Sequence, residues 1–368
     1  MKPSQTPAPA ECDLSVQHLL AEIARLDVLI RGAVQRWRLA GQNPAESFRG
    51  LYVVDGEVDH LLARPLASSW GQMVELPPSE ASALASAEAE ASRRAEALAG
   101  AALQEGHEPR LKRLVRTFGL GSFEQDALLI CIAPALDLRY QRVYAYLQDD
   151  VTRKRPTVNL VLDLLAPAGA ARFQRLFHFA DDAPLFQNHL LERVVEGDAG
   201  RYPLLGQALA ADDAIVGWLL GKYLPPAELG IHVRLVLPPP ETQSSDELQA
   251  GAVWRQLQDS LPPRAGTFRQ APLVVCHGPD DTSQQAACRL CARSLDRPLL
   301  LADMEGTHKA GLAPLRTVQL ALRDARLSGA IPVLHGWDAC LNDGGTLSGN
   351  PLIKPAQGRT PNHGGGFV

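Results

Sequence analysis

The chain has 368 residues, 46% of them hydrophobic, which is enough apolar content for two or three folded domains. A formal net charge of -5 excludes a generally basic surface, so nucleic-acid binding would have to be local. No apolar run approaches the ~20 residues of a membrane span, the N-terminal stretch is polar and Pro-rich, and the scattered cysteines form no disulfide framework. The expected setting is the cytoplasm, with no membrane contact.

Val16, Leu19, Ile23, Leu26, Ile30, Ala33 and Trp37 recur at steps of three and four, which predicts one helix with a seam to bury, ended at Gly41-Gln42-Asn43-Pro44. A short acidic helix is predicted at Glu57 to Ala63. A long Ala/Glu/Arg-rich helix follows from Ser79, taken as its N-cap, to Gln104. Residues 1–108 are therefore expected to form a helical N-terminal region.

Residues 109–225 have the order of a winged-helix domain. Leu111, Leu114, Val115 and Phe118 make one helix face closed by Gly119. Ser122-x-x-Gln125 reads as a capping box opening an apolar helix through Ile132, with Pro134 beyond its end. Further helices are predicted at Asp137 to Asp150, Thr157 to Leu165 and Arg172 to Phe179. Leu190 to Glu196 and Leu204 to Ala210 read as a two-stranded wing, and Asp212 as the cap of a last helix that stops at Gly221. Thr157 to Leu165 is taken as the helix that would enter a DNA groove. Its apolar surface and Asp163 argue against base readout, and Arg153-Lys154-Arg155 just before it is the feature that favours it.

Pro225-Pro226 and Pro238-Pro239-Pro240 frame a linker into 226–341. After a helix around Leu248 to Leu261, the run Pro272 to Cys276 predicts a strand, followed by a loop and a helix from Ala286 to Leu295, the order of a Walker A motif. Gly278 stands at its first glycine, Ser283 at the second, Gln284 at the lysine and Gln285 at the hydroxyl. A cation for the phosphates and a hydroxyl for Mg²⁺ are thus replaced, and Asp280 and Asp281 repel polyphosphate. Ala330 to Leu334 predicts the Walker B strand, with His335 and Gly336 where the acidic pair would stand. Cys288-x-x-Cys291 lacks a second ligand pair and reads as two packed thiols, so no metal site is expected. The tail, 342–368, shows no period and is expected to be irregular.

Three blocks carry a family resemblance: Phe48-Arg49-Gly50-Leu51-Tyr52-Val53; Phe123 to Leu129 with Ala133 to Tyr140; and Tyr144 to Asp150 leading into Arg155-Pro156-Thr157-Val158. Over roughly 14–341 the chain resembles the N-terminal half of bacterial two-ring AAA+ ATPases with a winged-helix segment, often encoded beside extracellular contractile injection systems. The resemblance implies a mixed, mainly α fold: helical N-terminal region, winged-helix domain, then a truncated α/β P-loop (AAA+) module. It also implies a homo-oligomeric remodelling ATPase using ATP and Mg, in which this chain is the non-catalytic part, with no catalytic residue and no cofactor of its own, docking a protein client through the winged helix.

Alternatives stay open: a winged-helix DNA-binding regulator, a truncated gene product without independent function, or a hydrolase built on His277, Asp303, His335 and Asp338 at strand ends. In the AAA+ order a sensor strand separates 272–276 from 330–334. Without it the two strands are expected to pair directly, leave a gap or recruit another chain.

Overall fold

The computed structural model describes residues 13–40, 55–66, 68, 71–194, 203–237, 251, 254–255, 257, 273–276 and 281–341. The chain forms two compact units, Met1–Leu224 and Pro225–Val368.

In the first unit, α1 (Leu14–Leu39) buries Leu19, Ile23, Leu26, Ile30 and Trp37, the residues spaced for one seam. Asp13 caps it by accepting from the Val16 N–H at 2.9 Å. Then come α2 (Asp55–Ala63), a 3₁₀ turn (Gly71–Met73) and α3 (Pro78–Gln104). The start of α3 differs from expectation: Pro77 takes the cap position and Pro78 the first turn, where a missing N–H costs nothing. Next are α4 (Arg110–Phe118), α5 (Ser122–Leu136), α6 (Arg139–Leu147) and α7 (Val158–Leu165). The unit ends with α8 (Ala170–Arg175), a 3₁₀ turn (Leu176–Phe179), α9 (Pro184–Gln187), β1 (Leu191–Val194), β2 (Ala208–Ala211) and α10 (Asp213–Leu219).

The expected break at 108/109 does not divide this unit, because α1 packs on α3 and also on α4, α5, α6, α7 and α10. One core therefore serves both stretches. Across it, Arg25 of α1 pairs with Glu22 at 2.9 Å and with Asp126 of α5, and Tyr140 donates its hydroxyl proton to Asp27 at 2.6 Å.

Helix α5 corrects two details of the sequence reading. Its N-cap is Gly121, whose N–H donates to Glu124 Oε2 at 3.0 Å, in place of the Ser122/Gln125 box. It also runs through Pro134 to Leu136. A proline cannot donate to the carbonyl four residues back, here Ile130, and that buried oxygen instead accepts the Tyr144 hydroxyl at 2.9 Å. Tyr144→Phe strands this carbonyl and is expected to cost about 1–3 kcal/mol. The readout is a lower urea midpoint with an unchanged slope; an unchanged midpoint would remove Tyr144 from this role.

In the second unit, β3 (Val233–Val236) pairs antiparallel with β4 (Leu299–Asp303), and β4 pairs parallel with β5 (Ile331–His335). Helix α11 (Asp281–Ser294) precedes β4, and α12 (Met304–Lys309) and α13 (Pro314–Ser328) carry the chain from β4 to β5. Leu299, Leu300 and Ala302 are buried in this unit, as are Leu320, Ala321 and Ala325 of α13. Of the strand expected at 272–276, residue 272 lies outside the described residues, and residues 273–276 pair with no strand and are exposed, Leu273 to 80%. The neighbour of β5 is β4. Ile331 donates toward that side, to the Pro298 carbonyl at 2.8 Å, so alternation turns Pro332 to the outer edge of β5. No helix among the described residues is long and apolar enough to cross a membrane.

Candidate functional site

The wing follows from backbone pairing. β1 and β2 are antiparallel with Leu191 opposite Ala211 and Val194 opposite Ala208. On the other side of β2, Thr157 bridges Ala208, with Val158 donating to the Gln207 carbonyl at 3.1 Å and Leu209 to that of Pro156 at 2.8 Å. The order is thus a short extended segment, α7, the stretch 170–187, and the hairpin.

That order moves the groove-reading position. In a helix-turn-helix pair the second helix is the reader. The second element here, leading into β1, is 170–187, whereas α7, which sequence reading placed at the groove, is the first. Helix α7 is also committed to the core: Val158, Leu160, Val161 and Leu162 are buried. Asn159 donates to Asp163 at 2.9 Å, and Arg172 pairs with Asp163 at 2.7 Å and donates to Asn159 Oδ1 at 2.8 Å. Burial pushes the Asp163 carboxyl up to about 6 in spite of Arg172.

The stretch 170–187 breaks into α8, a 3₁₀ turn and α9. Its inner side is fixed by Phe179, which is fully buried, by His178 on Glu124 at 2.6 Å and against the Phe123 ring, and by Arg193 over the Phe186 ring. Its outer side shows Phe173, 47% exposed, and Phe177, 77% exposed, four residues apart, and Gln174, Arg175, Asp181 and Asp182 are exposed along the same stretch, with Asp181 paired to Arg193 at 2.5 Å. Sequence reading missed this pair, since two Phe four apart in Arg172 to Phe179 look like any buried helix face.

The basic triplet is part of a braced turn. Gln148 donates to the carbonyls of Arg153 and Arg155 at 3.0 and 2.9 Å, and Arg153 pairs with Asp150 at 3.1 Å. These contacts serve the entry to α7.

The Walker-like positions separate by element. Ser283, Gln284 and Gln285 lie in the first turns of α11, which begins at Asp281, and Gly278 lies outside the described residues. His335 ends β5, exposed, and Gly336 follows in the left-handed region at φ 71. Of the alternative catalytic group, His277 lies outside the described residues, and Asp338 sits in the 3₁₀ turn Trp337–Cys340. Asp303 and His335 do approach, at 4.0 Å, with His232 at 3.7 Å from Asp303, whose carboxylate also caps α12 through the Gly306 N–H at 2.9 Å. Among the described residues no group of three such side chains is arranged to hold a metal ion. Cys288 and Cys291 are free thiols in α11, and burial pushes Cys288 up to about 11, which leaves it a poor thiolate.

A two-stranded hairpin closing a helical core, with α1 packed into that core and α3 packed on α1, defines a winged-helix module. The chain belongs to the family described as winged helix domain, variant, whose model matches residues 13–230. Neither the curated proteins nor the solved structures give a match.

Proposed function

We propose that the winged-helix unit docks a protein client and that the chain is the non-catalytic part of an AAA+-like remodelling protein. One observation carries the docking role: the reader position before the hairpin exposes two aromatic rings, Phe173 and Phe177. Exposed aromatics suit a protein surface. The parallel β4–β5 pair with its connecting helices supports an α/β module after residue 225. The resemblance supplies the rest: a cytoplasmic homo-oligomer associated with contractile injection systems, with ATP hydrolysis performed by a separate module. At the degenerate motif Gln284 brings no charge to phosphate and Asp281 opposes it.

The test of docking against DNA reading is fluorescence anisotropy with random-sequence duplex at low and moderate salt. No salt-dependent binding is expected. Binding that falls with salt and disappears when Arg153, Lys154 and Arg155 are neutralised would establish the DNA-binding reading instead. Calorimetric titration with Mg-ATP is expected to show no tight binding, and micromolar affinity lost in Gln284→Ala would overturn the degenerate-site reading.

A further inference from the structure

His178 belongs to the stretch that presents Phe173 and Phe177, and its ring meets two charges of opposite sign. Nδ1 stands 2.6 Å from Oε1 of Glu124, a buried residue of α5 whose other oxygen accepts the Gly121 N–H at 3.0 Å. Nε2 stands 3.5 Å from Nη1 of Arg175, the exposed last residue of α8. A carboxylate only accepts, so the proton of the neutral ring is on Nδ1, and Nε2 is left as an acceptor for the guanidinium. Arg175 in turn lies over the Phe123 ring at 5.1 Å, and the His178 ring packs against the same ring with centroids 4.6 Å apart. The other charged groups of the surrounding elements are turned elsewhere: Arg172 of α8 to Asp163, and Arg193 of β1 to Asp181 and the Phe179 carbonyl, while α9 carries no charge.

We propose that His178 is a pH-sensitive switch that holds Arg175 when neutral and releases it when charged. While the ring is neutral, Nε2 accepts from Arg175 and the guanidinium stays over Phe123. Histidine changes charge between about pH 8 and pH 5, and here the added proton goes on Nε2. A second donor and a like charge then face Arg175, whereas the contact with Glu124 becomes an ion pair. Arg175 leaves, and Glu124 keeps His178 in place. The functional consequence rests on the docking reading. Arg175 stands between Phe173 and Phe177 in the chain, so in acid the docking face gains a free cation and suits a partner that sets a carboxylate beside its apolar residues.

NMR of the full chain, labelled with ¹⁵N in histidine and ¹³C in arginine and titrated from pH 8 to pH 5, tests the switch. Arg175→Lys identifies the arginine signal by its loss. At pH 8 the His178 ring nitrogens should report the Nδ1–H tautomer, and the Arg175 δ protons should lie upfield of those of other exposed arginines because they sit near the face of Phe123. As pH falls, the Arg175 signal should move to the position of other exposed arginines with the same midpoint as the His178 ring. In His178→Gln, which has no titrating ring, it should stay fixed over the whole range. An Nε2–H tautomer at pH 8, an Arg175 signal that does not move or moves with a different midpoint, or an undiminished shift in His178→Gln would overturn the proposal. If that variant does not fold, the two wild-type midpoints decide it. No client enters the titration, so a negative result counts against the switch and not against the docking role, which the duplex measurement tests separately.

Discussion

Replacing Arg172 with alanine is expected to destabilise the winged-helix unit by about 3–5 kcal/mol at pH 7.5, because it leaves the Asp163 carboxylate buried without its cation. The loss should depend on pH. In the wild type the folded-state value of Asp163, about 6, lies above its ordinary 3.8, so between those values the folded chain holds a proton that the unfolded chain releases. Its contribution to stability is fully present below 3.8 and declines as pH rises through about 6. Without Arg172 the penalty on the charged form grows, so the defect should be largest at pH 7.5 and shrink toward pH 4.5, where the carboxyl is neutral. Urea denaturation at both pH values measures it, and Arg172→Ala combined with Asp163→Asn should recover part of the loss. A defect below about 1 kcal/mol, or one equal at both pH values, would contradict the buried-pair account.

Acidification should act in the opposite sense through His18. This residue of α1 is fully buried, and neither ring nitrogen has a hydrogen-bond partner. Burial pushes its value below the ordinary 6.5, with Glu22 on its own helix, 3.7 Å away, and Glu96 of α3 pulling it up and Lys112 of α4 pushing it further down. The unfolded chain therefore takes up a proton first as pH falls through 6.5, and stability is lost below that point while being unaffected above it. His18→Leu removes the titration together with two unpaired polar atoms, and is expected to stabilise the unit by about 1–3 kcal/mol and to flatten the acid side of its melting profile. Glu22 keeps its partner in that variant, since Arg25 holds it at 2.9 Å. Thermal melts from pH 5 to 8 decide the matter: a wild-type profile with no acid-side fall, or an identical fall in His18→Leu, would rule His18 out.

Periodic and capping signals made much of the helical architecture legible. The seam from Leu19 to Trp37 and the cap at Asp212 are local in sequence and appear where the spacing puts them, with Asp212 accepting from Ala214. Features set by distant partners were not legible. Pro134 reads as a helix stop until Tyr144 is seen to satisfy the carbonyl it strands. The run Leu299-Leu300-Leu301-Ala302 contains no β-branched residue and no alternation, so nothing local marks β4 as a strand; pairing with β3 and β5 does. Conversely, Leu273-Val274-Val275 has every local mark of a strand and lacks a partner in the sheet. The candidate site was displaced for the same reason. Whether α7 or 170–187 precedes the hairpin as reader depends on the Thr157–Ala208 bridge, a contact across about fifty residues of sequence.

The outward-facing Pro332 bears on how the second unit behaves in a crowded solution. Among the described residues nothing pairs with the outer side of β5, and an open strand edge is a template on which other chains can stack. Alternation leaves only residues 332 and 334 facing outward, and Pro332 has no hydrogen to offer. An incoming strand would find Leu334 as its one donor, too few for a ladder to start. The residue that prevents this edge from extending the sheet thereby guards the chain against fibrillar self-association.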